Sequence, residues 1–268
     1  MNALAARRRH PAAILLLLLL GLLVTGGAYS LLAPKEANAS AAPADVVADG
    51  KNLFLANCAT CHGTGAQGTA SGPSLIGVGA AAVDFQVGTG RMPMAKPAVQ
   101  APRVDKIKFD DKQIEAMAAY VASLAPGPSV PDDKYTSAVQ PGSKENNERI
   151  ARGGEIFRVN CAMCHNFAGS GGALTRGKYA PALAGVSGKH IYEAMATGPQ
   201  SMPVFNDANI SPQDKQDVIS YLKAIDSETN VGGLTLGNLG PVSEGLFAWV
   251  FGLGILVVIA VWLGKKAA

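Results

Sequence analysis

Cys58-Ala59-Thr60-Cys61-His62 and Cys161-Ala162-Met163-Cys164-His165 use every cysteine of the 268-residue chain and two of its four histidines. In each motif two thiols stand three residues apart and a histidine follows the second at once. This is the attachment pattern of a c-type haem, with thioethers from both thiols and the adjacent histidine as axial iron ligand. Other readings of paired cysteines fit less well. Zinc-ribbon knuckles lie about 15–20 residues apart, against about 100 residues here. A thioredoxin-like pair needs a strand–helix–strand context that neither motif has. Disulfides, the usual expectation for four cysteines in an exported chain, leave His62 and His165 without a role. The motifs therefore predict two covalently bound c-type haems, on Cys58 and Cys61 and on Cys161 and Cys164.

Reading outward, both motifs lie inside a longer internal repeat. Gly50, Phe54 and Asn57 ahead of Cys58 recur as Gly153, Phe157 and Asn160 ahead of Cys161. Downstream, Pro73, Leu75, Gly77 and Val78 recur as Pro181, Leu183, Gly185 and Val186. A Met-Pro step follows in each copy, Met92-Pro93 and Met202-Pro203, and each copy closes on a helical pattern, around Tyr120 and around Tyr221. A haem is gripped from both faces. The histidine occupies one face, so the second axial ligand comes from a distant loop, and a methionine thioether binds iron and raises the reduction potential. The expected iron ligands are His62 with Met92 and His165 with Met202. Met94 competes in the first copy, but the repeat aligns Met92 with Met202. Met117 and Met195 fall on helical patterns and are expected in the core, Met163 sits within a haem-attachment turn, and His190 is expected at the surface. The carbonyl of Pro73 or Pro181 is a candidate acceptor for the free imidazole N–H, as is usual behind a metal-bound histidine.

Two uncharged apolar runs, Ala12–Ala33 and Gly245–Gly264, are each close to the length a helix needs to cross a bilayer. Arg7, Arg8 and Arg9 precede the first run and Lys265 and Lys266 follow the second, which places both ends on the cytoplasmic side. The first run also reads as a cleavable signal with an Ala37-Asn38-Ala39 site. Either reading carries the chain from Asp45 onward across the membrane. Residues 45–124 hold seven acidic and seven basic side chains, and so do residues 150–230. The formal charge of +3 thus comes from the ends, and no basic stripe supports a nucleic-acid partner.

The expected architecture is mainly α: two tandem class I cytochrome c domains flanked by N- and C-terminal transmembrane helices. The expected segments are 1–40 (signal or anchor), 41–125 (domain 1), 126–149 (Pro-rich linker) and 150–230 (domain 2), then 231–244 (linker) and 245–264 (C-terminal transmembrane helix). Two irons with both axial positions filled leave no site for oxygen or peroxide, and no signalling domain accompanies them. The chain reads as an electron carrier at the extracytoplasmic face of the cell membrane.

Three stretches, Asn160–Pro181, Thr197–Pro203 and Leu239–Gly245, resemble the diheme cytochrome c subunit of the actinobacterial menaquinol–cytochrome c reductase, a bc-type complex. The likeness covers nearly the whole chain and is looser in the first copy. It implies a translocase subunit without a substrate site of its own. Its partners would be a cytochrome b subunit, a Rieske iron–sulfur subunit that supplies electrons, and the copper subunit of an aa-type oxidase that takes them. The diheme subunit of the cbb-type oxidases is the rival, but that subunit is anchored ahead of its haem domains, whereas here an apolar helix follows the second. The second domain, tethered close to that helix, is expected to face the Rieske protein.

Overall fold

The computed structural model describes residues 11–32, 42–96, 98–104, 107–227 and 241–267. The Arg7–Arg9 cluster, the Ala37–Ala39 site and most of the second linker lie outside the described residues. The N-terminal unit contains α1 (Pro11–Leu32), whose 20-residue stretch Ala12–Leu31 is long and apolar enough to cross a membrane.

In the rest of the chain, α2 (Ala44–Asn57) starts after Pro43 and carries Asp45 in its first turn, where a negative charge suits the exposed N–H groups. It is followed by the one-turn α3 (Ala59–His62), α4 (Gly79–Gly88) and α5 (Asp111–Leu124). Asp110 and Gln113 form a reciprocal capping box that fixes where α5 begins. The core gathers Phe54, Val83, Val87, Ile114, Met117 and Val121. Helices α2 and α5 cross so closely that a Cβ on Gly50 would overlap the carbonyl of Ala116. Phe54 then meets Tyr120, with ring centroids 5.2 Å apart.

The second half repeats this plan. After the short α6 (Asp133–Thr136) come α7 (Lys144–Asn160), the one-turn α8 (Ala162–His165), α9 (Gly188–Thr197) and α10 (Pro212–Ser227). Gly153 lies against the carbonyl of Asp217 as Gly50 lies against that of Ala116. Phe157 meets Tyr221 at 5.6 Å. Met117 and Met195 are core residues, 2% and 3% exposed. Between α8 and α9, β1 (Gly172–Ala173) and β2 (Tyr179–Ala180) form a two-residue antiparallel ladder, the one paired sheet among the described residues.

The segment expected as linker is built into the second half. α7 begins at Lys144 because the Ser143 hydroxyl accepts from Asn146 N, a cap inside a run too polar to show helical periodicity. The buried Gln216 amide donates to the carbonyls of Lys134 and Ser137 at 2.7 and 2.8 Å, and Tyr135 stacks on Tyr192. The two halves also pack on each other through α4 and α9, with Lys189 Nζ 2.7 Å from Asp84 Oδ2.

At the C-terminal end, α11 (Pro241–Phe247), a π-helical stretch over Ala248–Leu253 and α12 (Gly254–Ala267) follow one another. Ser243–Lys266, 24 residues, is long and apolar enough to cross a membrane. Lys266 Nζ sits 4.7 Å from the Trp262 ring centre, an aromatic–cation pairing of the kind found at membrane interfaces.

Candidate haem sites

α2 ends at Asn57, and Cys58 opens a new turn in which Cys61 N and His62 N both donate to Cys58 O, at 3.1 and 2.9 Å. In the second half Cys164 N and His165 N donate to Cys161 O at the same two distances. The residue ahead of each pair explains its recurrence. Asn57 Nδ2 donates to Leu53 O at 2.8 Å and Asn160 Nδ2 to Ile156 O at 2.9 Å, each side chain folding back on the carbonyl four residues earlier in its own helix.

Both imidazoles are held from behind. His62 Nδ1 donates to Pro73 O at 2.7 Å, and His165 Nδ1 donates to Pro181 O at 2.9 Å. A carbonyl can only accept, so the proton sits on Nδ1 and the Nε2 lone pair is free to bind iron. The proposed proline acceptor is therefore present in both copies. The proline loops are braced alike: Leu75 N donates to Ala66 O at 2.8 Å and Leu183 N to Gly169 O at 2.7 Å. Burial lowers the pKa of His165, against the opposing pull of Pro181 O, which favours the neutral ring that a metal requires.

None of the four cysteines is joined in a disulfide. Burial pushes Cys161 up to about 11 and raises Cys58, with Lys108 opposing the rise at Cys58. Thiols raised in this way are unlike the activated thiolates of redox cysteine pairs.

In the second half Cys161, Cys164, His165 and Met202 line one cavity of about 240 Å³, together with Phe157, Leu183, Ile191 and Leu222. Soft sulfur and imidazole donors in an apolar surround fit a c-type haem. In the first half Cys58, Leu75 and Met92 pack against the same core cluster. Met163 is 91% exposed, clear of any core role.

His190 departs from expectation. It is not a surface residue: its side chain is 22% exposed, lies edge-on to Phe85 of the first half and lines the second cavity. α9 faces α4 there, and an isolated helical histidine gives no sign in the sequence of what will cover it. Beside it Asp84, His190 and Glu193 bring donor atoms within 4.8 Å of one another. Glu193 is fully buried and neither of its oxygens has a hydrogen-bond donor. Burial first, and then Asp84, push its carboxyl up to about 9, against the pull of Lys189. Arg91 and Arg103 of the first half also reach the second cavity. Burial and the neighbouring Arg103 push the Arg91 guanidinium below its usual range. The Gly90–Pro93 step carries Arg91 in plain view, but nothing local to it indicates the other half's cavity.

Family models place both halves. The cytochrome c model matches residues 47–125, and the model described as cytochrome C oxidase, cbb3-type, subunit III, matches residues 148–222. Curated relatives span the whole arrangement. The cytochrome bc1 complex cytochrome c subunit of Mycobacterium tuberculosis is 43% identical over 249 residues, 92% of this chain and 88% of its own. That of Corynebacterium efficiens is 46% identical over 230 residues, 83% of this chain and 77% of its own. The chain belongs to the family of cytochrome bc1 complex cytochrome c subunits. The Corynebacterium diphtheriae member of that family is 44% identical, covering 83% of this chain and 82% of its own. Among solved structures, a reducing HAO-like protein complex of Kuenenia stuttgartiensis overlaps 72% of the chain at 16% identity and a TM-score of 0.34. As a bc1-complex cytochrome c subunit, the chain has two cytochrome c domains, two covalent c-type haems and a role in electron transfer. The cbb3-type match is confined to the second domain, whereas the bc1-complex relatives align over 83–92% of the chain.

Proposed function

We propose that this chain is the diheme electron carrier of a menaquinol–cytochrome c reductase. It would take electrons from a Rieske iron–sulfur centre and deliver them to the copper subunit of an aa-type oxidase, beside a cytochrome b subunit. The observation that supports this reading most is the doubled site: two equivalent Cys-x-x-Cys-His turns, each with its proline carbonyl behind the histidine, in one packed unit. Its relatives bear the name of a bc1-complex subunit. In this reading Cys58 and Cys61 hold the first haem and Cys161 and Cys164 the second. His62 and Met92 are the axial ligands of the first iron, and His165 and Met202 those of the second. Met92 is favoured over Met94 because it packs against the first core. The domains run over 41–125 and 150–230, with the segment 126–149 folded onto the second, and the two apolar helices anchor them at the extracytoplasmic face.

A bound c-type haem supplies reversible one-electron exchange at its iron. The chain's own residues keep that exchange free of side chemistry. Pro73 and Pro181 carbonyls fix the imidazole rings, Met92 and Met202 would supply the second iron ligands, and apolar side chains such as Phe157, Leu183, Ile191 and Leu222 would surround the second haem. In this reading the chain carries electrons and the reductase activity belongs to the complex. Purification of the tagged chain after gentle solubilisation tests this. The expected result is b-type haem and a Rieske signal travelling with it. Recovery with a cbb-type oxidase alone would overturn it.

A further inference from the structure

The second cavity is not closed by its own half. Phe85, Arg91, Gln100 and Arg103, all from the first half, form part of its lining. The contact is fastened at the main chain. Gln100 Nε2 donates to Tyr179 O at 2.8 Å, and Tyr179 N donates to Gln100 Oε1 at 2.9 Å, so the side-chain amide pairs with β2 as another strand would. Ala101 N also donates to Gln200 Oε1 at 3.3 Å. Gln100 and Ala101 are thereby pinned to both loops that flank the cavity, the one carrying Pro181 and the one carrying Met202.

Two guanidinium groups arrive with that wall. Arg91 lies 4.8 Å over the Phe85 ring. Among the described residues neither Arg91 nor Arg103 has a carboxylate partner in an ion pair. Neighbouring cations at the margin of an apolar cavity repel one another unless an anion joins them. Guanidinium is the group best suited to grip carboxylates in pairs. A c-type haem, joined to its cysteines through the vinyl edge, carries two propionate carboxylates on another edge.

We propose that Arg91 and Arg103 of the first domain hold the propionates of the haem attached to the second domain, so that the second site is shared between the two. This rests on the diheme reading above. It also gives the Gly90–Pro93 step a double duty. Met92 faces the first site while Arg91, the residue before it, faces the second. One peptide unit then links the surroundings of both haems, and the two domains cannot separate without uncovering the second.

The test is a redox titration of the purified complex carrying Arg103→Gln or Arg91→Gln, with Arg158→Gln as a control for charge. The second haem is identified by the low-spin resonance that changes in Met202→His. Positive charge favours the reduced form, so losing either arginine should lower the second midpoint. The shift is on the order of tenfold in the redox equilibrium, about 59 mV for one electron. Arg91→Lys and Arg103→Lys should recover most of it, which a purely structural role would not allow. Arg103 is exposed, so its substitution spares the core even if Arg91→Gln does not accumulate. A second midpoint equal to that of the Arg158→Gln control, or a shift confined to the first haem, would overturn the proposal. A wild-type chain without two c-type haems by pyridine haemochrome would instead overturn the diheme reading beneath it.

Discussion

The two halves are built from one pattern, yet they stand in different surroundings. Each has a glycine at its helix crossing, a phenylalanine against a tyrosine, an asparagine ahead of the cysteine turn and a proline carbonyl behind the histidine. The second half is the more enclosed. Its histidine is 9% exposed, its linker folds back onto Gln216, and its cavity takes a wall from the first half. The difference teaches that short-range chemistry sets the ligand turn, while the environment of the iron is set by whatever packs on it. In a pair of cofactors that only exchange electrons, environment is the main means of telling them apart.

The most severe way to break the comparison is through the methionines. Met202→His should abolish reduction of both haems by quinol, whereas Met92→His should leave the second reducible at its normal rate. Stopped-flow spectra of the two variants decide it, and reduction of the first haem at the normal rate in the Met202 variant would reverse the order of transfer. Next come the crossings. A methyl group at Gly50 or at Gly153 meets a backbone carbonyl that cannot move aside cheaply. Gly50→Ala and Gly153→Ala should each cost about 3 kcal/mol, as overpacking does, and denaturant unfolding that spared one of them would end the equivalence of the halves.

Glu193 has no counterpart in the first half, and it sharpens the contrast. Its carboxyl is raised from 4.5 to about 9 by burial and Asp84, with Lys189 pulling the other way and His190 alongside. Below the unfolded value both states are protonated and burial carries no penalty. Above it the unfolded chain releases a proton that the folded chain keeps, so stability falls as pH rises from about 4.5 towards 9. The slope approaches about 1.4 kcal/mol per pH unit. Glu193→Gln should flatten this slope and raise Tm at pH 8 while leaving Tm at pH 4 unchanged. Equal shifts at both pH values would contradict the assignment. The smallest effect belongs to the join between the halves. Gln100→Ala removes two solvent-accessible hydrogen bonds and should cost about 1 kcal/mol. Faster hydrogen exchange at Tyr179 N would mark the loss, and unchanged protection there would show that the halves hold together without it.

Much of this was open to a reader of the sequence. The cysteine turns, the proline carbonyls and the Met-Pro loops recur in the same order in both copies, and hydrogen bonds within each half hold the turns and the histidines. The start of α7 was hidden because a serine cap and a polar first turn leave no apolar period to detect. His190 was misplaced because its burial comes from Phe85 and Asp84, more than a hundred residues away.

The sequence by itself determined the two haem turns, the paired Met-Pro loops, the helical class and the apolar ends. Each of these is fixed by covalent spacing, helix period or chain polarity within a short window. Only the tertiary structure decided that Arg91, Arg103 and Gln100 serve the other half's cavity, and that Asp84, His190 and Glu193 meet between α4 and α9. Those contacts arise from docking two packed cores, and charge and burial at a docked surface depend on a partner that no local pattern encodes.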